Sequence, residues 1–369
     1  MVDAGKLSVR IEWDGAEVRA ATVESTRPLA YWLLAGRPAE RVVQLVPMLF
    51  SVCGKAQQAA ASAAVCAAQG MDLPQAQAAE FERRVACEAV QEHLWRLLLD
   101  WPDALGLSQQ RQQFVRWHAA LGEIAAGQGN AENLLGELHR VLLGVDDAEW
   151  RRIDTHARLG EWWNTGCGLL ASLLAALDHR ESRLDYAGEA AACDLLPEWR
   201  AAEAMQTLTG RLDHEFAARP EHEGRPMETG MLAHSRRIPL LQDVLRKRPT
   251  RLLARLIARL LDLLDSAEAL AQEKLTGRVQ GIAGADGTGL SVVRTARGML
   301  LHRVRIEAGQ VADYLIVAPT EWNFHPQGAL ASSLAGLREN DAERLVETAR
   351  CQVLSLDPCV EYGIEVVHA

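Results

Sequence analysis

The chain opens on a strict alternation: Leu7, Val9, Ile11 and Trp13 point to one side, and Ser8, Arg10 and Glu12 to the other. Asp14-Gly15 follows, a pair suited to a two-residue type I′ turn, so a β-hairpin is predicted through about Val23. From Leu29 to about Leu275 the period becomes helical. Pro38-Ala-Glu-Arg41 leads into an apolar run toward Phe50, and Gln57 to Gln69 is alanine-rich and unbroken. Further helices are expected around Glu80–Leu99, Gln109–Ala126, Ala131–Leu143 and Asp147–Leu177. The sharpest stripe is Arg251–Leu275, where Leu253, Leu256, Leu260 and Leu264 oppose Arg251, Arg255 and Arg259. That arginine face, with the basic run Arg246-Lys247-Arg248, is expected in solvent, with partner docking as the less favoured role.

At Gly277 the pattern changes again, with Gly281, Gly284, Gly287 and Gly289 marking a turn-rich stretch. Met299–Ile306 and Val311–Val317 flank Ala308-Gly309-Gln310 and predict a second hairpin. A helix from about Ala331 to Ala349 and an extended tail over Cys351–Leu356 then deliver Asp357-Pro358-Cys359. No repeat or low-complexity linker divides the chain. One α-rich α+β unit is expected: a hairpin over 1–24, a helical body over 25–276, and a hairpin, helix and tail over 277–369.

Composition narrows the classes. Of 369 residues 49% are hydrophobic and 24% charged, enough for a sizeable core. The 39 basic against 49 acidic residues argue against broad nucleic-acid or anionic-membrane binding. Neither a secretory signal nor a membrane-spanning apolar run is expected. Seven cysteines, odd in number and without framework spacing, fit a reducing cytoplasm with free thiols.

Two of those cysteines stand out. Cys53, in Ser-Val-Cys-Gly-Lys-Ala, and Cys359, in Asp-Pro-Cys-Val-Glu-Tyr, lie 306 positions apart. Each opens a Cys-x-x-Cys spacing whose second sulfur is absent: Ala56 and Tyr362 stand there instead. Thiolates suit soft or borderline metals. Gly54 permits close backbone approach to a ligand, and the helix expected after Cys53 would favour a thiolate at its N-terminus. Pro358 fixes a non-helical approach to Cys359. Cys66, Cys87, Cys167, Cys193 and Cys351 are expected as small buried hydrophobes.

Ordered matches then identify a family. Leu33-Leu-Ala-Gly-Arg37 with Cys53-Gly54, Thr295-Ala-Arg-Gly-Met-Leu-Leu-His302, Val317-Ala-Pro-Thr-Glu-Trp-Asn323 and Asp357-Pro-Cys359 resemble, in order, four elements of the nickel–iron hydrogenase large subunit. The resemblance implies that subunit's fold, a helical body with small β-hairpins near both ends. In that family four cysteines hold nickel and an iron carrying two cyanides and one carbonyl. This chain keeps the cysteine of each pair that binds nickel alone and lacks both that bridge the metals. Arg297 and Thr320 match positions that surround the cyanides, and Pro319 lies beside Thr320 in the same element. A guanidinium and a hydroxyl both suit polar diatomic ligands.

The departures point away from hydrogen turnover. The family's proton-relay acid has no counterpart, because Arg10-Ile-Glu12 runs straight into Trp13-Asp14. A family histidine falls at Ala60, and the chain ends at His368-Ala369 with altered spacing. The resemblance therefore implies the HupK/HoxV type of hydrogenase maturation protein: a non-catalytic scaffold that holds the iron–cyanide–carbonyl fragment transiently through Cys53 and Cys359, without nickel. Its partners would be the hydrogenase large-subunit precursor and the maturation proteins that build or deliver the fragment. The alternatives are a reduced hydrogenase-like metalloenzyme and a metal-free adaptor. All carrier readings require the two sulfurs to meet beside a guanidinium.

Remaining motifs carry less. Glu361, Glu365 and His368 stand at helical i, i+4, i+7 spacing, read as a solvated helical end in preference to a hard-metal site. Gly284–Gly289 lacks the ending of a phosphate loop and is expected as a plain loop. Neither His-Glu-x-x-His nor Gly-x-Ser-x-Gly occurs.

Overall fold

The computed structural model describes residues 5–27, 31–50, 52–188 and 192–369; Leu29, where the helical period begins, lies outside them. The opening alternation forms β1 (Lys6–Trp13), paired antiparallel with β2 (Val18–Ser25). Leu7, Val9 and Ile11 are buried, as their shared face requires. The connection is longer than the expected two-residue turn. Trp13 pairs with Val18, and the Asp14 carboxylate accepts from the backbone N–H of Ala16 and Glu17 at 2.9 and 2.8 Å. An aspartate that bonds its own following amides holds a wider turn.

At the other end of the chain the secondary structure departs further from expectation. The helix expected over 331–349 is two helices, Ala329–Leu334 and Ala342–Ser355, separated at Gly336, whose φ is +75°. Asp341 caps the second by accepting from Glu343 and Arg344 N–H at 2.8 and 3.2 Å. Cys351–Ser355, expected as extended, closes that second helix. Glu361–His368 is a strand that pairs parallel to β1, from Lys6↔Glu361 to Trp13↔His368. On a strand Glu361 and Glu365 share one face while His368 takes the other, so the helical grouping does not exist. Among the described residues no cluster of three or more His, Cys, Asp or Glu is gathered for a metal.

The elements that build the site are labelled in chain order: α1 (Gly54–Ala68), α2 (Gln75–Trp95), α3 (Leu252–Ala271), β3 (Val279–Ala283), β4 (Thr288–Thr295), β5 (Gly298–Glu307), β6 (Gln310–Val317), α4 (Pro319–Asn323), α5 (Ala342–Ser355) and β7 (Glu361–His368). Strands β3 to β6 form an antiparallel meander. Its last hairpin turns at Ala308-Gly309, both at positive φ, as the sequence anticipated. Within the glycine-rich stretch the expected loop is the turn over 284–287 that joins β3 to β4, and Gly289 already belongs to β4. Small residues dictate what packs on it: α1 presents buried Ala59, Ala60, Ala61, Ala63 and Ala64. A Cβ on Gly289 would lie 2.1 Å from the Ala64 carbonyl oxygen, so glycine facing alanine lets helix and sheet backbones touch.

Helix α3 corrects the amphipathic reading. It is buried nearly all round, with Arg255 and Arg259 only 7% and 5% exposed. Each guanidinium meets a carboxylate. Arg255 bonds Glu228 at 2.9 and 3.0 Å, and Arg259 bonds Asp357 at 2.8 Å and His93 Nδ1 at 3.1 Å. Buried charge survives where it is paired and hydrogen-bonded. Arg246 and Lys247 do stay in solvent. Among the described residues no helix is long and apolar enough to cross a membrane.

Candidate functional site

Five chain segments converge at one place. Cys53 caps the N-terminus of α1, and Cys359 sits two residues before β7. Arg297 occupies the tip of the β4–β5 hairpin, where Thr295 pairs with Gly298. Thr320 lies in the first turn of α4, which follows β6, and its Oγ1 is 3.1 Å from Cys359 Sγ. Pro319, at the start of the same helix, is buried beside it. The fifth segment is α2, which contributes Glu88 and Glu92. A larger concavity of about 1030 Å³ on the helical body, lined by His139, Trp150 and Asp265 among others, shares no residue with this site.

The two sulfurs feel each other. Burial, then the charges at Cys359 and Glu92, push the Cys53 thiol up to about 12, against the opposing pull of Arg297. This reverses the expectation of a helix-stabilised thiolate, for a physical reason. Glu88 accepts from the backbone N–H of Lys55 and Ala56, both at 2.8 Å, so the amides of the first turn of α1 are already satisfied by a carboxylate. Burial and the neighbouring Glu92 in turn raise Glu88 to about 8. Cys53 Sγ accepts one bond, from Gln57 Nε2 at 3.7 Å. The Gln57 oxygen meets His302 Nε2 at 2.9 Å, and His302 Nδ1 meets the Tyr314 hydroxyl at 2.7 Å. With the amide nitrogen on sulfur, the chain is consistent only if His302 carries its proton on Nε2 and accepts from Tyr314. Burial drives His302 down to about 3, so the ring is neutral.

Arg297 is held from behind. It bonds Glu92, and its Nε stands 3.4 Å from Asp357. Asp357 is the anchor of this wall. Its Oδ1 accepts from Arg96 at 2.6 Å and its Oδ2 from Arg259 at 2.8 Å. Burial alone would raise this carboxyl, but Arg259, Arg297 and Arg96 hold it well below the usual range. Those bonds hold Asp357 at φ +58°, and Arg96 also donates to the Pro358 carbonyl at 2.8 Å. Arg96 reaches the tail because the chain leaves α2 through a π-helical turn, Arg96–Asp100. The tail that carries Cys359 is thus pinned by three arginines.

Motif matching found Cys53, Cys359, Arg297, Pro319 and Thr320, and the structure brings all five to this place. It did not find Glu88, Glu92, Gln57 or Arg27. Glu88 and Glu92 had a usable signal: two acids at i, i+4, a like-charge pair that a helix does not favour by itself. Arg27, two residues beyond β2, had none. Of the five cysteines expected as buried hydrophobes, Cys87, Cys193 and Cys351 are buried and Cys66 partly so. Cys167 is exposed, in the turn between Gly166 and Gly168, both at positive φ.

Could the place hold an iron fragment with polar diatomic ligands? Two thiols supply the donors, Thr320 supplies a hydroxyl, and Arg297 Nε is a buried N–H donor without a hydrogen-bond partner. The residues fit such a guest.

Comparison with known proteins bears on the fold and the family. The family model described as nickel-dependent hydrogenase matches residues 242–364. The chain is 32% identical over 371 residues to the hydrogenase expression/formation protein HoxV of Cupriavidus necator, covering 94% of this chain and 93% of that one. It is 32% identical over 376 residues to the hydrogenase expression/formation protein HupK of Azotobacter vinelandii, covering 99% and 100%. Among solved structures, a reduced, active form of the nickel–iron–selenium hydrogenase from Desulfomicrobium baculatum superposes with a TM-score of 0.61 at 15% identity, over 95% of each chain. The fold is that of a hydrogenase large subunit.

Proposed function

The chain belongs to the HupK/HoxV family of hydrogenase expression/formation proteins, and from that premise we propose that it is a non-catalytic scaffold for the iron–cyanide–carbonyl fragment of the nickel–iron site. The fragment is cargo: it is held transiently between Cys53 and Cys359, without nickel, and passed to the large-subunit precursor. Maturation proteins that build the fragment would be the donors, and the exchange would take place in the cytoplasm, where thiols stay reduced. The observation that carries this reading is the meeting of two thiols, 306 positions apart in sequence, beside Thr320 and Arg297. Two thiolates in place of four weaken retention, since each absent metal–sulfur bond is one fewer to break on transfer. The Thr320 hydroxyl and the Arg297 side would face the diatomic ligands.

The test is maturation itself. In a host that makes an active hydrogenase, Cys53→Ala or Cys359→Ala should lower hydrogenase activity at least tenfold while the variant stays folded. Full maturation with both cysteines replaced favours a metal-free adaptor instead. The purified protein itself should show no hydrogen uptake with an artificial electron acceptor; turnover there supports the reduced-enzyme reading.

A further inference from the structure

Two guanidiniums are close enough to the sulfurs to respond to their charge, and they differ in how fully they are neutralised. Arg297 is engaged by Glu92 and Asp357. Among the described residues Arg27 has one carboxylate partner, Glu321, whose Oε1 accepts from its Nη1 at 2.9 Å. The other oxygen of Glu321 accepts from the Ala318 N–H at 3.1 Å, capping its own helix. Phe50 backs the guanidinium, 5.1 Å from carbon to ring centroid. Although burial pulls the Arg27 pKa down, the charges of Glu321, Cys359 and Cys53 outweigh it and hold the side chain cationic.

Beside Arg27 lies a cavity of about 120 Å³, lined by Arg27, Tyr31, Phe50, His214, Tyr314 and Glu321 among others. Its wall is aromatic: Tyr31 packs edge-on against His214 at 4.5 Å, and Tyr314 belongs to the hydrogen-bonded chain that ends on Cys53. Glu321 takes the Arg27 Nη1, and the remaining guanidinium N–H groups are the donors that a small, weakly hydrated anion would use. Bulkier or doubly charged anions would lack partners there, because no second guanidinium or ammonium lines the cavity among the described residues.

We infer that Arg27 and the aromatic cavity beside it form a binding site for a small linear anion, and that this site receives the cyanide end of the iron fragment. The inference deepens the carrier reading and rests on it for the identity of the guest, while the anion site itself stands on the cavity and the cation. Cyanide coordinated to iron presents a nitrogen lone pair, which a guanidinium N–H can satisfy. Free thiocyanate presents the same terminus, so it serves as the probe.

Titrate the full-length protein with potassium thiocyanate and follow the bound C≡N stretch by infrared spectroscopy. The wild type should bind saturably at one site, and the C53S/C359S variant should bind as well, since the cation is untouched. The double variant R27Q/E321Q, which removes the charge and its partner together and keeps an oxygen for the Ala318 cap, should bind at least tenfold more weakly. R27K should restore most of the affinity. Equal affinity in R27Q/E321Q and wild type overturns the inference, as does the absence of saturable binding in the wild type. The two readings fail separately. Thiocyanate bound through Arg27, in protein that never acquires iron–cyanide bands, sinks the carrier reading and leaves the anion site. Iron–cyanide bands unmoved in R27Q/E321Q, with thiocyanate undiminished, sink the anion site alone.

Discussion

The two sides of the candidate site are built on opposite principles. The inner wall is over-determined: Asp357 is shared among Arg96, Arg259 and Arg297, Arg259 continues to His93, and His93 to Asp262 at 2.9 Å. The rim that carries the thiols is lightly held. Among the described residues Cys53 has one weak hydrogen bond, from Gln57, and Cys359 one contact, to Thr320. A wall fixed by buried ion pairs sets the geometry before any guest arrives, and a rim with few commitments can exchange one. That division suits holding a guest briefly better than keeping it.

The contrast can be broken from its strong side first. Asp357→Asn removes the carboxylate that Arg96, Arg259 and Arg297 share, leaves the buried Arg259 without an acid partner among the described residues, and should cost about 3–5 kcal/mol of unfolding free energy by denaturant titration. A loss below about 1 kcal/mol would mean the wall does not hold the tail. Gly289→Ala pushes a methyl into the Ala64 carbonyl and should cost about 2–3 kcal/mol, separating α1 from the sheet and Cys53 from the Arg297 hairpin.

The pH dependence gives a subtler test. His302 falls from an ordinary 6.5 to about 3 on folding, so the unfolded chain takes up its proton first. The stability tied to the neutral ring is fully present above pH 6.5 and is lost as the pH falls toward 3; by pH 5 roughly 2 kcal/mol should be gone. His302→Gln should flatten that slope. An unchanged slope would place the titration elsewhere. Smallest of all, replacing Cys53 and Cys359 together by alanine should change stability by less than about 1 kcal/mol, because the rim contributes little to folding.

Much of this was legible in the chain. The alternation at Leu7–Trp13, the Ala308-Gly309 turn and the separate matches at Cys53, Arg297, Thr320 and Cys359 each carry a local signal. What was not legible depended on partners far away in sequence. Arg255 and Arg259 read as a solvated face because nothing near them announces Glu228 or Asp357. Glu361–His368 read as helical because its strand character is completed by β1, more than 350 positions earlier. The Cys53 thiol reads as acidic from its place before a helix, but the burial that raises it and the Glu88 carboxyl that takes the α1 amides both come from elements distant in sequence.

Whether Cys53 and Cys359 together hold an iron fragment is decided by infrared spectroscopy with iron and nickel quantification, on protein purified anaerobically from a host with the hydrogenase maturation machinery. Cyanide and carbonyl bands with iron approaching one per chain, no nickel, and loss of both bands when either cysteine becomes alanine are the predicted result. Protein without those bands, or bands that persist after both cysteines are replaced, would contradict it.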